Sequence, residues 1–193
     1  GYLCGRGDTT NKITGQANTA VGAWHDGYLE GPFAYLNTGS FNSAFGNAAL
    51  RTVSSGSYNT AIGYAALTNN TTSSYSTAVG YQAGYSSTSG GNVFVGHSAG
   101  YSNTSGYGNT YVGFNQVNNQ GAGYAMTTGH SNTILGGFSG NQNNLDIRGS
   151  NNYTVLSDGD GQVAVAYYST NTEVSQGSAY STFQYRRRLG TSA

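Results

Sequence analysis

NTAIGYAAL, at residues 59–67, is one of seven versions of a single phrase. The others are NTAVG (18–22), NSAFG (42–46), STAVGYQAG (76–84), NVFVGHSAG (92–100), NTYVGF (109–114) and NTILGGFSG (132–140). Their first residues are separated by 24, 17, 17, 16, 17 and 23 positions. A period near 17 with longer outer repeats is the signature of a solenoid. Such a coil holds two short strands and two corners. Recurrent glycine and the lack of a 3.6-residue apolar period argue against a helix pair. The expected fold is therefore all-β, a parallel β-solenoid of about seven coils.

Alignment of the copies gives columns. An apolar column reads Val21, Phe45, Ile62, Val79, Val95, Val112 and Leu135. An unbroken glycine column follows: Gly22, Gly46, Gly63, Gly80, Gly96, Gly113 and Gly136. Glycine at every turn of the stack implies positive φ or crowding at a corner. The leading column is Asn in six copies and Ser76 in the other, and stacked Asn side chains can bond along the stack at the ~4.8 Å strand spacing. Ala49, Ala66, Ala83 and Ala99, three positions after the glycine, suit the inside of a narrow coil.

Strand alternation sends Thr60 and Ile62 to one face and Ala61 to the other. The Ala61 column (Ala20, Ala44, Ala61, Ala78, Phe94, Tyr111, Ile134) is apolar too, so both faces of the strand are buried. One face packs inside the coil, and a thin coil leaves the other to a partner. The expectation is that the Val column lies inside with the Thr column beside it. The Ala61 column then joins identical chains in a closed trimer. On the same ground, an ice-binding role for the Thr column is the weaker expectation.

Only 7% of the 193 residues are charged, and seven Lys+Arg balance seven Asp+Glu. Such a chain offers no electrostatic footprint for nucleic acid or an anionic membrane. Its 31 Gly and 17 Tyr, with many Asn, Ser and Thr, suit strands and corners. Cys4 is a lone cysteine, so no intrachain disulfide is available. No apolar run approaches membrane-spanning length, and membrane insertion is not expected. The chain begins at Gly1, which predicts a fragment or a processed product. The expected organisation is an N-terminal segment (1–17), the repeat domain (18–140) and a C-terminal β-hairpin or connecting segment (141–193).

The phrase resembles the head repeats of trimeric autotransporter adhesins of the YadA type, matching at Asn59, Ala61, Ile62, Gly63 and their equivalents. It is similar also to repeats of bacteriophage tail fibres, notably of marine and cyanobacterial phages, where it often precedes a self-cleaving chaperone domain. NNYTVLSDGDGQVAV (151–165) resembles the stretch that follows such repeats. The resemblance implies a left-handed β-roll trimer, extracellular or on the virion. It implies a structural and receptor-binding role in host attachment. Its partners would be its own copies, other fibre or virion proteins, and a host surface glycan or protein. A cell-surface adhesin head or filament subunit is the alternative.

No nucleophile–base–acid set and no paired carboxylates stand out, so no enzyme activity and no cofactor are expected. His25, His97 and His130 lack metal spacing. His97 shares the column of Tyr64, Tyr81 and Phe114 and reads as one rung of a ring ladder. Asp158 and Asp160 in SDGDGQ suit a hairpin turn better than calcium, which needs more ligands. Arg6-Gly7-Asp8 reads as a chance match in a Gly-rich loop, and YRRRL (185–189) as a solvated charge run.

Recognition is expected from the two long repeats, because insertions between repeats form loops. The first, 23–40, carries Trp24, His25, Tyr28, Phe33 and Tyr35; the second, 115–130, carries Tyr124. An equal alternative is that Trp24 and Phe33 cap the stack.

Overall fold

The structure, a computed structural model, describes residues 14–22 and 31–168. Among the described residues there is no helix. The strands are β1 (Thr19–Val21), β2 (Ser43–Phe45), β3 (Thr60–Ile62), β4 (Thr77–Val79), β5 (Val93–Val95), β6 (Thr110–Val112), β7 (Phe114–Asn115), β8 (Gln120–Gly121), β9 (Thr133–Leu135), β10 (Asn141–Gln142), β11 (Leu145–Asp146), β12 (Tyr153–Ser157) and β13 (Val163–Tyr168). One nine-stranded sheet runs β1-β2-β3-β4-β5-β6-β9-β12-β13. All its pairs are parallel except β12 with β13. The chain is thus a parallel β-solenoid of about seven turns, each phrase supplying one rung. The sheet continues past the last phrase, where Val155 of β12 pairs with Ile134.

The register is that of the aligned columns: Ala44, Ala61, Ala78, Phe94, Tyr111, Ile134 and Val155 lie one above another. This column points inward, and all seven residues are fully buried. Ala49, Ala66, Ala83 and Ala99 are buried with it in one core. The expected assignment of the two strand faces is therefore reversed. The Val21–Phe45–Ile62 column, with its threonines, looks outward, and the Ala61 column cannot be a contact between chains. Volume explains the reversal. In the first coils alanine lines both inner walls and Leu50 or Leu67 fills the rest, so an inward β-branched residue at those rungs would overfill the coil.

Glycine holds the corner for two reasons. Gly46, Gly63, Gly80, Gly96, Gly113 and Gly136 have φ between 111° and 137°, a region almost closed to other residues. A Cβ at Gly46 would also lie 2.6 Å from the carbonyl oxygen of Gly63 in the next coil.

The Asn column forms the predicted ladder. Asn42 and Asn59 bond through Nδ2–H···Oδ1 at 3.1 Å, and the Asn59 amide N–H reaches the same oxygen at 3.0 Å. Each Asn also donates Nδ2–H to a carbonyl in the next coil, Asn59 to Ser73, Asn92 to Gly106 and Asn109 to Gly129. One buried side chain thereby satisfies donors and acceptors that the corner leaves unpaired. Ser76 is the weak rung, since its hydroxyl accepts the Asn92 N–H at 3.4 Å.

Candidate functional site

Three surfaces arise from this scaffold. The first is the outer face of the long sheet. One row on it is Val21, Phe45, Ile62, Leu135 and Leu156, exposed by 54, 38, 41, 41 and 42%, with half-buried Val79, Val95 and Val112 between. Beside it run Thr19, Ser43, Thr60, Thr77, Val93, Thr110, Thr133 and Thr154. Methyl groups and hydroxyls thus alternate in two straight rows.

The second surface is a set of aromatic ladders at the corners. Tyr64, Tyr81 and His97 stack with centroids 5.4 and 5.0 Å apart, and Phe114 meets His97 edge-on at 5.3 Å. The rung expected for His97 is there. Tyr85, Tyr101 and Tyr124 form a second ladder, at 5.1 and 5.2 Å. Burial, then the neighbouring phenols of Tyr124, Tyr85 and Tyr81, push the Tyr101 hydroxyl above the usual tyrosine pKa. Phe41, Tyr58 and Tyr75 form a third, at 5.0 and 5.2 Å. Its signal in the sequence is an aromatic residue immediately before the leading Asn or Ser in three successive copies, which the column analysis passed over. These three residues have φ of 58°, 59° and 65°, so the corner holds each in the left-handed region.

The third surface gathers the excursions of the last coils. The β7–β8 hairpin, the β10–β11 hairpin and the 158–161 turn meet through two asparagines. Asn115 donates Nδ2–H to the carbonyls of Gly137 and Asp160, and Asn143 donates to Gly161. Val117 projects from the first hairpin, 71% exposed. In the turn, the Asp158 carboxylate accepts the N–H groups of Asp160 and Gln162 at 3.0 and 2.8 Å. Asp146 and Arg148 make an exposed ion pair at 2.7 Å. The guanidinium holds the Asp146 carboxyl below its usual range, and Asp146 in turn raises Arg148. Among the described residues no group of three His, Cys, Asp or Glu could hold a metal ion.

The residues expected to bind a ligand are scattered across these settings. Trp24, His25 and Tyr28 lie outside the described residues, as do Arg6-Gly7-Asp8 and residues 185–189. Phe33 is 1% exposed and belongs to the core with Leu36 and Leu50. Tyr35 is exposed. Tyr124 is a ladder rung packed on Tyr101, because the second excursion is confined to β7–β8 and the coil resumes at Ala122. Comparison of the chain with protein families, with curated proteins and with solved structures returned no match.

Proposed function

We propose that this chain is a structural and receptor-binding segment of a bacteriophage tail fibre, working as an extracellular homotrimer of left-handed β-rolls in host attachment. The observation that carries the reading is the outward apolar row from Val21 to Leu156. It lies on strands whose other face is already filled by the coil's own core, so only another molecule can cover it. Three copies packed through these rows give a rod with its aromatic corners and loops turned to solvent. The resemblance of the repeated phrase to tail-fibre and adhesin-head repeats supports the same arrangement. In this reading the chain is not an enzyme and needs no cofactor. Its partners are its own copies, neighbouring fibre proteins and a host glycan or protein. A cell-surface adhesin head would use the same trimer, and adjoining virion genes separate the two.

Recognition is assigned to the insertion carrying Trp24, His25, Tyr28 and exposed Tyr35, of which a trimer presents three copies, so weak single contacts add through avidity. The test is attachment of the labelled chain to a panel of bacterial cells. Trp24→Ala with Tyr28→Ala is expected to abolish attachment and leave the thermal transition nearly unchanged. Undiminished attachment by a folded double variant would move recognition off this loop.

A second reading has one observation in its favour: the Thr row shares the outward face instead of being buried. Regular hydroxyls and methyls on a flat sheet suit an ice-binding surface. A face sealed inside a trimer cannot meet ice, so growth inhibition of ice crystals by a monomeric chain would favour this reading over the fibre.

A further inference from the structure

The Phe41–Tyr58–Tyr75 ladder stops abruptly. The next two rungs carry Gly91 and Gly108 in its column. One face of the Tyr75 ring therefore has no side chain over it. Tyr75 is 69% exposed, against 52% for Phe41 and 51% for Tyr58.

A polar row fails at the same height. One residue earlier in each coil, the hydroxyls of Ser40, Ser57 and Ser74 accept a backbone N–H of the preceding coil at 3.0, 3.1 and 3.0 Å. Gly90 takes the next place in that row and has no hydroxyl. Among the described residues, neither the Ser74 nor the Gly90 N–H finds an acceptor, and both residues are half-exposed. An open ring face at Tyr75 and two unmet donors, at Ser74 and Gly90, thus lie on residues adjacent in the chain or in the stack.

We propose that this break is a binding slot for one pyranose ring of a surface glycan. A pyranose presents a flat C–H face, which packs on an aromatic ring, and a rim of hydroxyl oxygens, which accept from amide N–H groups. Both halves of the slot are then used. An aromatic side chain from a protein would cover Tyr75 and leave the two donors unmet, at a cost of about 1–3 kcal/mol for each one fully buried. An inner ring of a ladder, by contrast, has both faces against its neighbours and shows only its edge. Coils rise ~4.8 Å each, so the missing side chains at Gly91 and Gly108 leave the height of at least one ring over Tyr75. The proposal rests on the receptor-binding reading only in naming a surface glycan as the source of the sugar.

Gly91 supplies the decisive variant. Its φ of 72° is close to the 65° of Tyr75, and a Cβ there would meet nothing nearer than 3.7 Å. Gly91→Tyr should therefore extend the ladder by one ring and cover Tyr75, at the cost of the left-handed strain that Tyr75 already bears. The experiment is saturation-transfer NMR on the full chain with a panel of methyl pyranosides (glucose, galactose, mannose, N-acetylglucosamine) and N-acetyltyrosine amide. Ring-proton signals from at least one pyranoside are expected with the wild type. Gly91→Tyr should lose them while it keeps a cooperative thermal transition. Tyr75→Ala should weaken them by about tenfold, in line with the worth of one ring contact. Equal signals in wild type and Gly91→Tyr would overturn the proposal. So would binding of the tyrosine amide with no pyranoside binding. Wild-type attachment to cells with no pyranoside signal would also sink the slot, while leaving the receptor reading in place.

Discussion

The first coils and the later coils solve one packing problem in opposite ways. At β2 and β3 the inward strand residue is Ala44 or Ala61, and the corner four positions after the glycine supplies Leu50 or Leu67. At β5 the inward residue is Phe94 and that corner is Gly100; at β6 it is Tyr111, and the β7–β8 excursion delays the matching glycine to Gly123. A Cβ at Gly100 or Gly123 would run into the Phe94 or Tyr111 ring, while at Gly84 it would lie 2.6 Å from Phe94 and 2.9 Å from Leu67. Ala with Leu has been exchanged for aromatic with Gly, and the backbone register does not change. At the junction Ala78 faces Gly84, whose space the Phe94 ring fills from the next rung, so what the fold conserves is a filled interior along the stack, not the residue at either position.

The largest effect expected from breaking this exchange is at Phe94. Phe94→Ala leaves Ala opposite Gly100 and an empty coil, and should cost about 3–5 kcal/mol in denaturant unfolding. Adding Gly100→Leu recreates the Ala–Leu pair of the first coils and should recover a large part of that loss, although Gly100→Leu alone is destabilising. Additive losses in the double variant would mean that the two positions do not share one volume.

The Asn ladder runs through both halves and gives the next effect. Asn59→Ala strips the acceptor from the buried Ser76 N–H and the donor from the Ser73 carbonyl, an expected loss of about 2–3 kcal/mol. Ser76→Ala removes only the long contact to Asn92 and should cost about 1 kcal/mol or less. Equal losses at the two rungs would show that the ladder is not what secures the corner.

A smaller effect sharpens the comparison at the later coils, where the Tyr85–Tyr101–Tyr124 ladder lies. The Tyr101 pKa is raised on folding, so its stabilising contribution is complete below the unfolded tyrosine value near 10 and is lost as pH climbs through the folded value. Melting temperatures should fall above about pH 10, and less steeply in Tyr101→Phe. Tyr111 behaves in the same direction and more strongly, because burial pushes its phenol far up, with the Asn132 side chain opposing. The exposed Asp146–Arg148 pair should contribute nothing measurable, so Asp146→Asn is expected to melt with the wild type.

Much of this architecture was legible from spacing alone. The glycine, alanine and asparagine columns all took their expected places, since each residue type answers a local demand: positive φ, a narrow wall, or an unpaired corner. The direction of the strand faces was not legible. Alternation separates Ala61 from Thr60 and Ile62 but does not say which side is the axis, and hydrophobicity favoured the wrong one. The decisive clue was size: the first coils set Ala61 inward with Leu67 at the corner, and a later one sets Phe94 inward with Gly100. The candidate recognition residues were legible only as loops. Phe33 and Tyr124 carry the aromatic character of a contact residue, yet one is buried in the core and the other is stacked on Tyr101.

The assignment of inside and outside is tested most directly by molar mass in solution, measured by light scattering on the wild type and on Ile62→Asp/Val79→Asp. The wild type should have the mass of three 20.0 kDa chains. The double variant, with charge on the outward row and an untouched core, should keep its β-sheet spectrum and run as a single chain. A wild type that is folded at 20.0 kDa, or a double variant that remains a trimer, would contradict the claim that this row joins the copies.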